Sequence, residues 1–397
     1  MTMTERAADA AMRRRLYCFL ANVFKTIHPE KRFQPSPYIE ALCFALEEMV
    51  EGRTPRLLVT MPPRYLKSTC ISVALPAWLL GHDPGCEIMV ATYNAEFATI
   101  HANQCRQVIE SAWFRHLFPS TRIDRRTNRA DEFRTTRGGG RKAVSPGGSA
   151  TGRGASVLII DDLVKASEVH SAQVRRQRER FYEETLLSRL NDKANRRIAI
   201  VQQRLHDDDF VAYIIRTDTF RPLNLPAIAL RDERLPLYDG RIYERRKGEA
   251  LCPEREPIAV LEQLRREFGN RVFSAQYQQE PVQPGSGDFD FDRIATIDHP
   301  PDRKLCAPVV QSWDPAFTTE THSDYSVCTT WGHHDGKWYL LDLWRGQLTF
   351  PDLKARIIIH QESWRADRVL VEGINSGLSL VQQLRRDDGR LEVIACT

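Results

Sequence analysis

The sequence predicts an α/β protein in two parts, a larger, mainly parallel sheet first and a smaller α/β part that opens with antiparallel strands after it. Three observations lead there. Short apolar runs at Leu57–Met61, Glu87–Thr92, Ser156–Asp162 and Arg196–Gln203 are separated by segments that include helix-period stretches, the rhythm of parallel strands joined by crossover helices. Polar and charged residues sit at the ends of these runs, where open α/β sheets bind ligands. From about residue 305 the pattern restarts as strand, hairpin, helix and strand, with a carboxylate at the tips of two strands.

The chain of 397 residues is long enough for two or three domains with proper cores, and its 42% hydrophobic and 27% charged content is that of a globular protein. A formal net charge of +4 allows nucleic acid as a partner without demanding it. Charge is uneven, however: nine Arg or Lys against three acids between Arg122 and Arg153, in a Gly-rich setting, suggest an exposed basic loop or hairpin. Nine cysteines without a C-x-x-C pair indicate neither a zinc ribbon nor a disulfide framework and read as reduced cytosolic thiols. No apolar run approaches the ~20 residues of a membrane span. The N-terminal basic and apolar stretch reads as an amphipathic helix rather than a signal peptide.

Taken in order, residues 9–25 and 38–51 have helical spacing, separated by a turn at Pro35 and Pro37. Phe33, Gln34 and Tyr38 either contact an adenine ring or pack at the domain entry. The run Leu57–Met61 then breaks at Pro62-Pro63 into Arg64, Tyr65, Leu66, Lys67, Ser68 and Thr69 before a helix begins. This is the shape of a phosphate-binding loop, which needs backbone N–H groups at a helix N-terminus, a Lys on the terminal phosphates and a hydroxyl on Mg²⁺. Lys67 and Ser68 supply the last two, and Pro63 to Thr69 are the candidate nucleotide contacts. Met61 and Leu66 stand where the motif has glycines, and an ordinary strand-turn-helix is the alternative.

Ser156–Asp162, SVLIIDD, reads as a buried strand whose end carries two acids. In a Walker B role Asp161 holds the Mg²⁺ shell and Asp162 orients or deprotonates the attacking water; the alternative is a pair capping the next helix. Residues 168–191 read as one long charged helix. Arg196–Gln203 is a third buried strand, ending in Arg204, His206 and three Asp, with His206 either a sensor or a surface histidine. A fourth strand-like run ends at Pro226, and the Pro/Gly-punctuated stretch beyond it reads as a hinge, with helices at 258–268 and 271–278.

Ala307–Asp314, Asp324–Trp331 and Lys337–Leu343 form an antiparallel meander, and a helix at 351–364 leads to Arg368–Glu372. That order is the order of a ribonuclease H-like nuclease, whose acids hold two divalent ions ~3.5 to 4 Å apart.

Together these segments resemble the large terminase subunit of tailed bacteriophages, over essentially the whole chain. The resemblance rests on MPPRYLKS, TGRGASVLIIDD, QRLHDDD, LPAIAL, FSAQYQQEP, WDPA, SDYSV and VEGINSG in that order. It implies a P-loop, ASCE-type ATPase over 31–225 behind a helical arm at 1–30, a connector at 226–304, and an incomplete ribonuclease H-like domain at 305–397. The expected work is ATP-driven packaging of double-stranded DNA into proheads, coupled to endonucleolytic cleavage. The implied cofactors are ATP with Mg²⁺, and Mg²⁺ or Mn²⁺ in the nuclease. Small terminase subunit, portal protein and further copies in a ring are the implied partners, in the cytoplasm of the bacterial host.

By the same resemblance, Arg64 stabilises charge at the γ-phosphate, Gln203 and Arg204 couple hydrolysis to movement, and Arg153 is an arginine finger across a subunit interface or a DNA-phosphate contact. Asp314 and Glu372 are nuclease metal ligands, with Asp324 a substitute third ligand. Three departures stand out. Leu66 replaces the loop glycine, costing on the order of 1 kcal/mol if φ > 0 is needed there. Asp162 stands where many relatives have Glu, a base shorter by ~1.5 Å. The chain stops at Thr397, where the family continues to a late Asp, so a weak or inactive nuclease is expected. A helicase-like ATPase and an inactive prophage remnant that binds DNA or partner subunits are the alternatives.

Overall fold

The structure, a computed structural model, describes residues 2–148, 152–217, 219–282, 295–316, 325–372, 376–387 and 392–396. It divides into two compact units, Met1–Asp290 and Phe291–Thr397.

The first unit opens with α1 (Met3–Arg14) and α2 (Leu16–Ile27). The expected single helix over 9–25 is broken at Arg15, whose extended backbone (φ −131°) lets α2 turn Leu16, Phe19, Leu20 and Val23 into the core. Next come α3 (Pro37–Val50) with Pro37 in its first turn, β1 (Arg56–Thr60), a π-helical turn at Thr69–Ala74, α4 (Leu75–His82), β2 (Glu87–Ala91), α5 (Ala95–Glu110) and α6 (Ala112–Leu117). Three edge strands follow, β3 (Ile123–Asn128), β4 (Glu132–Thr135) and β5 (Gly140–Val144), then β6 (Val157–Asp161), α7 (Ala172–Arg180), β7 (Arg197–Gln202), α8 (Phe210–Thr217) and β8 (Arg221–Asn224).

These strands form one sheet in the order β3-β4-β5-β2-β6-β7-β1-β8. All pairings from β5 to β8 are parallel, and only the β3-β4-β5 edge is antiparallel. Strand β7 lies between the loop strand β1 and the carboxylate strand β6, bringing both ligand-facing ends to the same edge of the sheet. The strands read as continuous apolar runs because both faces are covered. Leu57, Val59, Val157, Ile159, Ala199 and Val201 face the layer of α2–α4, while Leu58, Leu158, Ile160, Ile198 and Ile200 face Tyr182, Leu186 and Phe210, the strand period of two.

Two expectations are corrected, the first in part. Of the exposed basic loop or hairpin expected at 122–153, the hairpin is present as the sheet's antiparallel edge, but exposure holds only for some residues: Arg125, Arg126 and Arg129 are exposed, whereas Arg141 is fully buried and Glu132 nearly so. The helix over 168–191 is confined to Ala172–Arg180, then passes through a π turn at Phe181–Leu186 and a 3₁₀ turn at Leu187–Arg189, because Tyr182 and Leu186 are drawn into the core beneath.

The segment after β8 packs within the first unit. It holds the hairpin of β9 (Glu233–Pro236) and β10 (Ile242–Arg245) and the helix α9 (Ile258–Gln276), interrupted at Gly269 (φ 78°) between the two expected helical stretches.

The second unit is a mixed sheet, β13-β12-β11-β14-β15. Strands β11 (Val309–Asp314), β12 (Ser326–His334) and β13 (Lys337–Gly346) are antiparallel. After α10 (Phe350–Trp364), β14 (Arg368–Glu372) pairs parallel with β11; α11 (Ser376–Asp387) then leads to β15 (Val393–Cys396). Its core gathers Trp313, Leu353, Ile357, Val371 and Leu380. Among the described residues, no helix is long and apolar enough to cross a membrane.

Candidate functional site

The loop after β1 is built on an unusual backbone. Arg64 (φ 68°) and Leu66 (φ 60°) both adopt the left-handed conformation, which costs about 1–2 kcal/mol for each non-glycine residue. The condition attached to the missing glycine is thus met, and at two positions. Beyond the loop, Cys70 N–H bonds Leu66 C=O at 3.0 Å, so the N–H groups of Lys67, Ser68 and Thr69 are those of a helix N-terminus. The π turn that follows places Ser68 and Ser72 on one side, both toward the tip of β6.

There the site assembles. Ser68 Oγ donates to Asp161 Oδ1 (3.2 Å) and Ser72 Oγ to Asp161 Oδ2 (2.7 Å). Lys67 Nζ lies 2.5 Å from Asp162 Oδ2. Asp162, just past the strand, is itself left-handed (φ 47°), which turns its carboxylate toward Lys67 and toward the Gln203 N–H that donates to its Oδ1 at 3.2 Å. Its backbone is tied by Val201 C=O and Tyr93 N–H, at 3.0 and 2.9 Å.

Asp161 is 2% exposed. Burial, with the neighbouring Asp162 charge second, pushes its pKa up to about 6, while Lys67, Ser72 and Ser68 pull the other way. His101 lies 4.0 Å from the same carboxylate, and burial, then the Arg141 charge, lowers it to about 4. The guanidinium of Arg141 donates to Ser72 C=O through Nε (3.3 Å) and Nη2 (3.2 Å). A cleft of about 190 Å³ opens between Ser68, Tyr93, His101 and the two carboxylates.

A cation, a hydroxyl and two acids at a helix N-terminus suit a nucleotide with Mg²⁺: Lys67 and the N–H groups for the phosphates, Ser68 and Asp161 for the metal. Pro63, Tyr65 and Thr69 complete the loop, and Tyr65 is fully buried behind it while Arg64 is exposed.

Arg153 precedes β6 at the opposite end from Asp161, ion-paired through Nε with Glu132 Oε1 at 2.7 Å. Arg204 grips the fully buried Asp209 (3.0 and 3.1 Å), which also caps Leu205 and Ala212 N–H, and Arg204 N–H donates to Gln279 Oε1 at 2.9 Å.

In the second unit the parallel pairing of Trp313 with Val371 sets Asp314 and Glu372 side by side at the strand ends, both exposed. A hydrogen bond with Asp314, and the charge of Asp314 second, raise the Glu372 pKa. Two acids in that relation suit a divalent cation, which would relieve their repulsion. Asp324 lies outside the described residues, and among those described no group of three His, Cys, Asp or Glu forms a metal site.

Ser72, His101, Arg141, Arg255, Glu256 and Gln279 escape sequence reasoning. Ser72 carries a signal, standing one turn beyond Ser68 on the same helical face, and Gln279 lies within the FSAQYQQEP motif.

The family model for the terminase RNase H-like domain matches residues 311–395. No curated protein matches the chain. Among solved structures, the large terminase of a thermophilic bacteriophage is 12% identical, covering 92% of this chain and 83% of that one at a TM-score of 0.37. A mutant large terminase ATPase domain of Thermus phage P74-26 is 14% identical over 63% of this chain and 100% of its own, at 0.41. The N-terminal domain of the DNA packaging ATPase from bacteriophage phi29 is 13% identical over 50% and 92%, at 0.27. At TM-scores this low the likenesses carry no weight beside the family match. Residues 311–395 thus match the terminase RNase H-like domain, and in the chain they follow a mixed α/β unit built on a large, mainly parallel sheet.

Proposed function

We propose that the chain hydrolyses ATP to move double-stranded DNA into a phage prohead, and that its metal-dependent endonuclease for concatemeric DNA is weak, with no group of three ligating acids, His or Cys among the described residues. The observation that carries this reading is the meeting of Lys67, Ser68, Asp161 and Asp162 at one helix N-terminus. Lys67 binds the terminal phosphates and Arg64, exposed on the loop, balances charge at the γ-phosphate. Ser68 and Asp161 hold Mg²⁺, which when bound neutralises phosphate charge. Phosphates draw Lys67 away from Asp162, and the freed carboxylate orients the attacking water and takes its proton. Gln203, on Asp162 through its N–H, and Arg204, on Gln279 through its own, carry the change into the 203–209 segment and the connector. Arg153, paired through Nε with Glu132 and outside its own site, serves a neighbouring copy in a ring or a DNA phosphate.

Asp314 and Glu372 hold Mg²⁺ or Mn²⁺ for strand cleavage. The partners are double-stranded DNA, gripped through phosphates without regard to sequence, a small terminase subunit, a portal protein and other copies of the chain, in the bacterial cytoplasm.

Steady-state ATP hydrolysis, with and without linear duplex DNA, tests the reading. Turnover that DNA stimulates and Lys67→Ala abolishes supports it; no turnover under any condition overturns it in favour of an inactive remnant.

A further inference from the structure

Something must hold two closely spaced departures from ordinary backbone, Arg64 and Leu66, with no glycine to relieve either. The residue between them, Tyr65, is where the holding occurs. Its ring is fully buried, edge-on to Tyr38 at 5.6 Å between centroids, with the Arg255 guanidinium over its face at 4.2 Å. Its hydroxyl donates to Glu256 Oε2 at 2.6 Å. Arg255 also reaches the main chain, donating through Nη1 to the Arg64 carbonyl at 2.8 Å, and is itself ion-paired to Glu256 Oε1 at 3.1 Å. The bond to the Arg64 carbonyl is the telling contact, because it acts on the peptide plane between two left-handed residues rather than on a side chain that could repack.

We propose that Arg255 and Glu256 are positioning residues of the nucleotide loop, holding Arg64-Tyr65-Leu66 in its phosphate-binding form before any nucleotide arrives. The inference rests on the ATPase reading. The chemistry singles out Arg at 255: a planar fork can lie on a ring and donate to a carbonyl in the same pose, which a lysine ammonium cannot. Glu256 needs only an acceptor oxygen for the phenol. A loop released from the brace relaxes toward ordinary backbone, and binding must then rebuild it, so the loss falls on nucleotide affinity rather than on the chemical step.

The test is the KM and kcat for ATP of the full chain in Arg255→Ala, Arg255→Lys, Glu256→Gln, Leu66→Gly and the Arg255→Ala/Leu66→Gly double variant, with thermal melts alongside. Arg255→Ala is expected to raise KM about tenfold with kcat within about threefold of the parent. Arg255→Lys follows Arg255→Ala, while Glu256→Gln stays within about twofold. Leu66→Gly removes the clash the brace opposes, so the double variant recovers most of the KM, which a merely structural role for Arg255 would not produce.

An unchanged KM in Arg255→Lys, or a KM defect that Leu66→Gly leaves untouched, overturns the inference; the first outcome decides the matter even if Arg255→Ala fails to fold. The ATPase reading fails separately, when the parent chain does not turn over or Lys67→Ala does not silence it, and the inference falls with it.

Discussion

The two pairs of acids in this molecule occupy opposite surroundings. Asp161 is buried, takes hydrogen bonds from Ser68 and Ser72, and has in Asp162 a neighbour that meets the Lys67 ammonium. Asp314 and Glu372 stand exposed at adjacent strand ends, and the group that perturbs Glu372 is Asp314 itself. The first pair is held in its working geometry by donors that the fold supplies, so its position survives without ligand. The second pair is placed by strand register and joined by a hydrogen bond between its own two acids, and like charges so placed are held best when a cation lies between them.

The comparison breaks most visibly on activity. Lys67→Ala is expected to cut ATP turnover by about a hundredfold or more, as removal of a preorganised charge partner does. Asp314→Asn is expected to abolish any Mg²⁺- or Mn²⁺-dependent nicking of plasmid DNA while leaving ATP turnover within about twofold. Loss of both activities in Asp314→Asn would show that the two sites are not separable in this way. On stability the exposed pair matters little: Asp314→Asn should shift the unfolding free energy by less than about 0.5 kcal/mol, as an exposed substitution does.

Asp161 should instead carry a pH dependence. With its pKa pushed from 3.8 to about 6, the folded chain keeps a proton that the unfolded chain releases. The stability from this group is therefore full below about pH 4 and is lost as pH rises through about 6. Urea unfolding of metal- and nucleotide-free protein at several pH values, wild type against Asp161→Asn, should show the variant gaining on the wild type by on the order of 2 kcal/mol across that window. Parallel curves would mean that Asp161 is solvated in the folded chain.

Much of this site was readable before the structure. LLVT, VLIID and RIAIVQ announce themselves because strands buried on both faces need unbroken apolar side chains, and their polar ends then stand out. Leu66 was readable as a departure whose consequence depended on a dihedral angle, and the angle is φ 60°. What resisted reading was tertiary in origin. Arg141 sits in a basic run that looks solvated, yet its guanidinium is drawn onto the Ser72 carbonyl beneath the site. Arg255 and Glu256 sit at the end of a Pro- and Gly-punctuated stretch that looks like a linker, and Gln279 lies in the FSAQYQQEP motif without a role of its own; only folding brings them to the loop and the 203–209 segment. The helix expected at 168–191 failed where Tyr182 and Leu186 gain more from burial than from regular winding.

The Ser72 hydroxyl sharpens the contrast furthest. Ser72 is fully buried and spends its hydroxyl on Asp161 Oδ2, favouring the charged carboxylate. Ser72→Ala removes that donor without adding bulk, so the proton on Asp161 is held more firmly and the midpoint of the stability-against-pH curve should move up from about 6. At neutral pH the lost bond to an ionised group should lower the unfolding free energy by about 1 to 2 kcal/mol. At the other pair the nearest serine along β11, Ser312, stands two residues before Asp314 and faces solvent, so it offers no counterpart to this substitution. A midpoint that stays in place after Ser72→Ala would mean that burial alone governs Asp161, and that the two pairs differ in depth but not in how they are held.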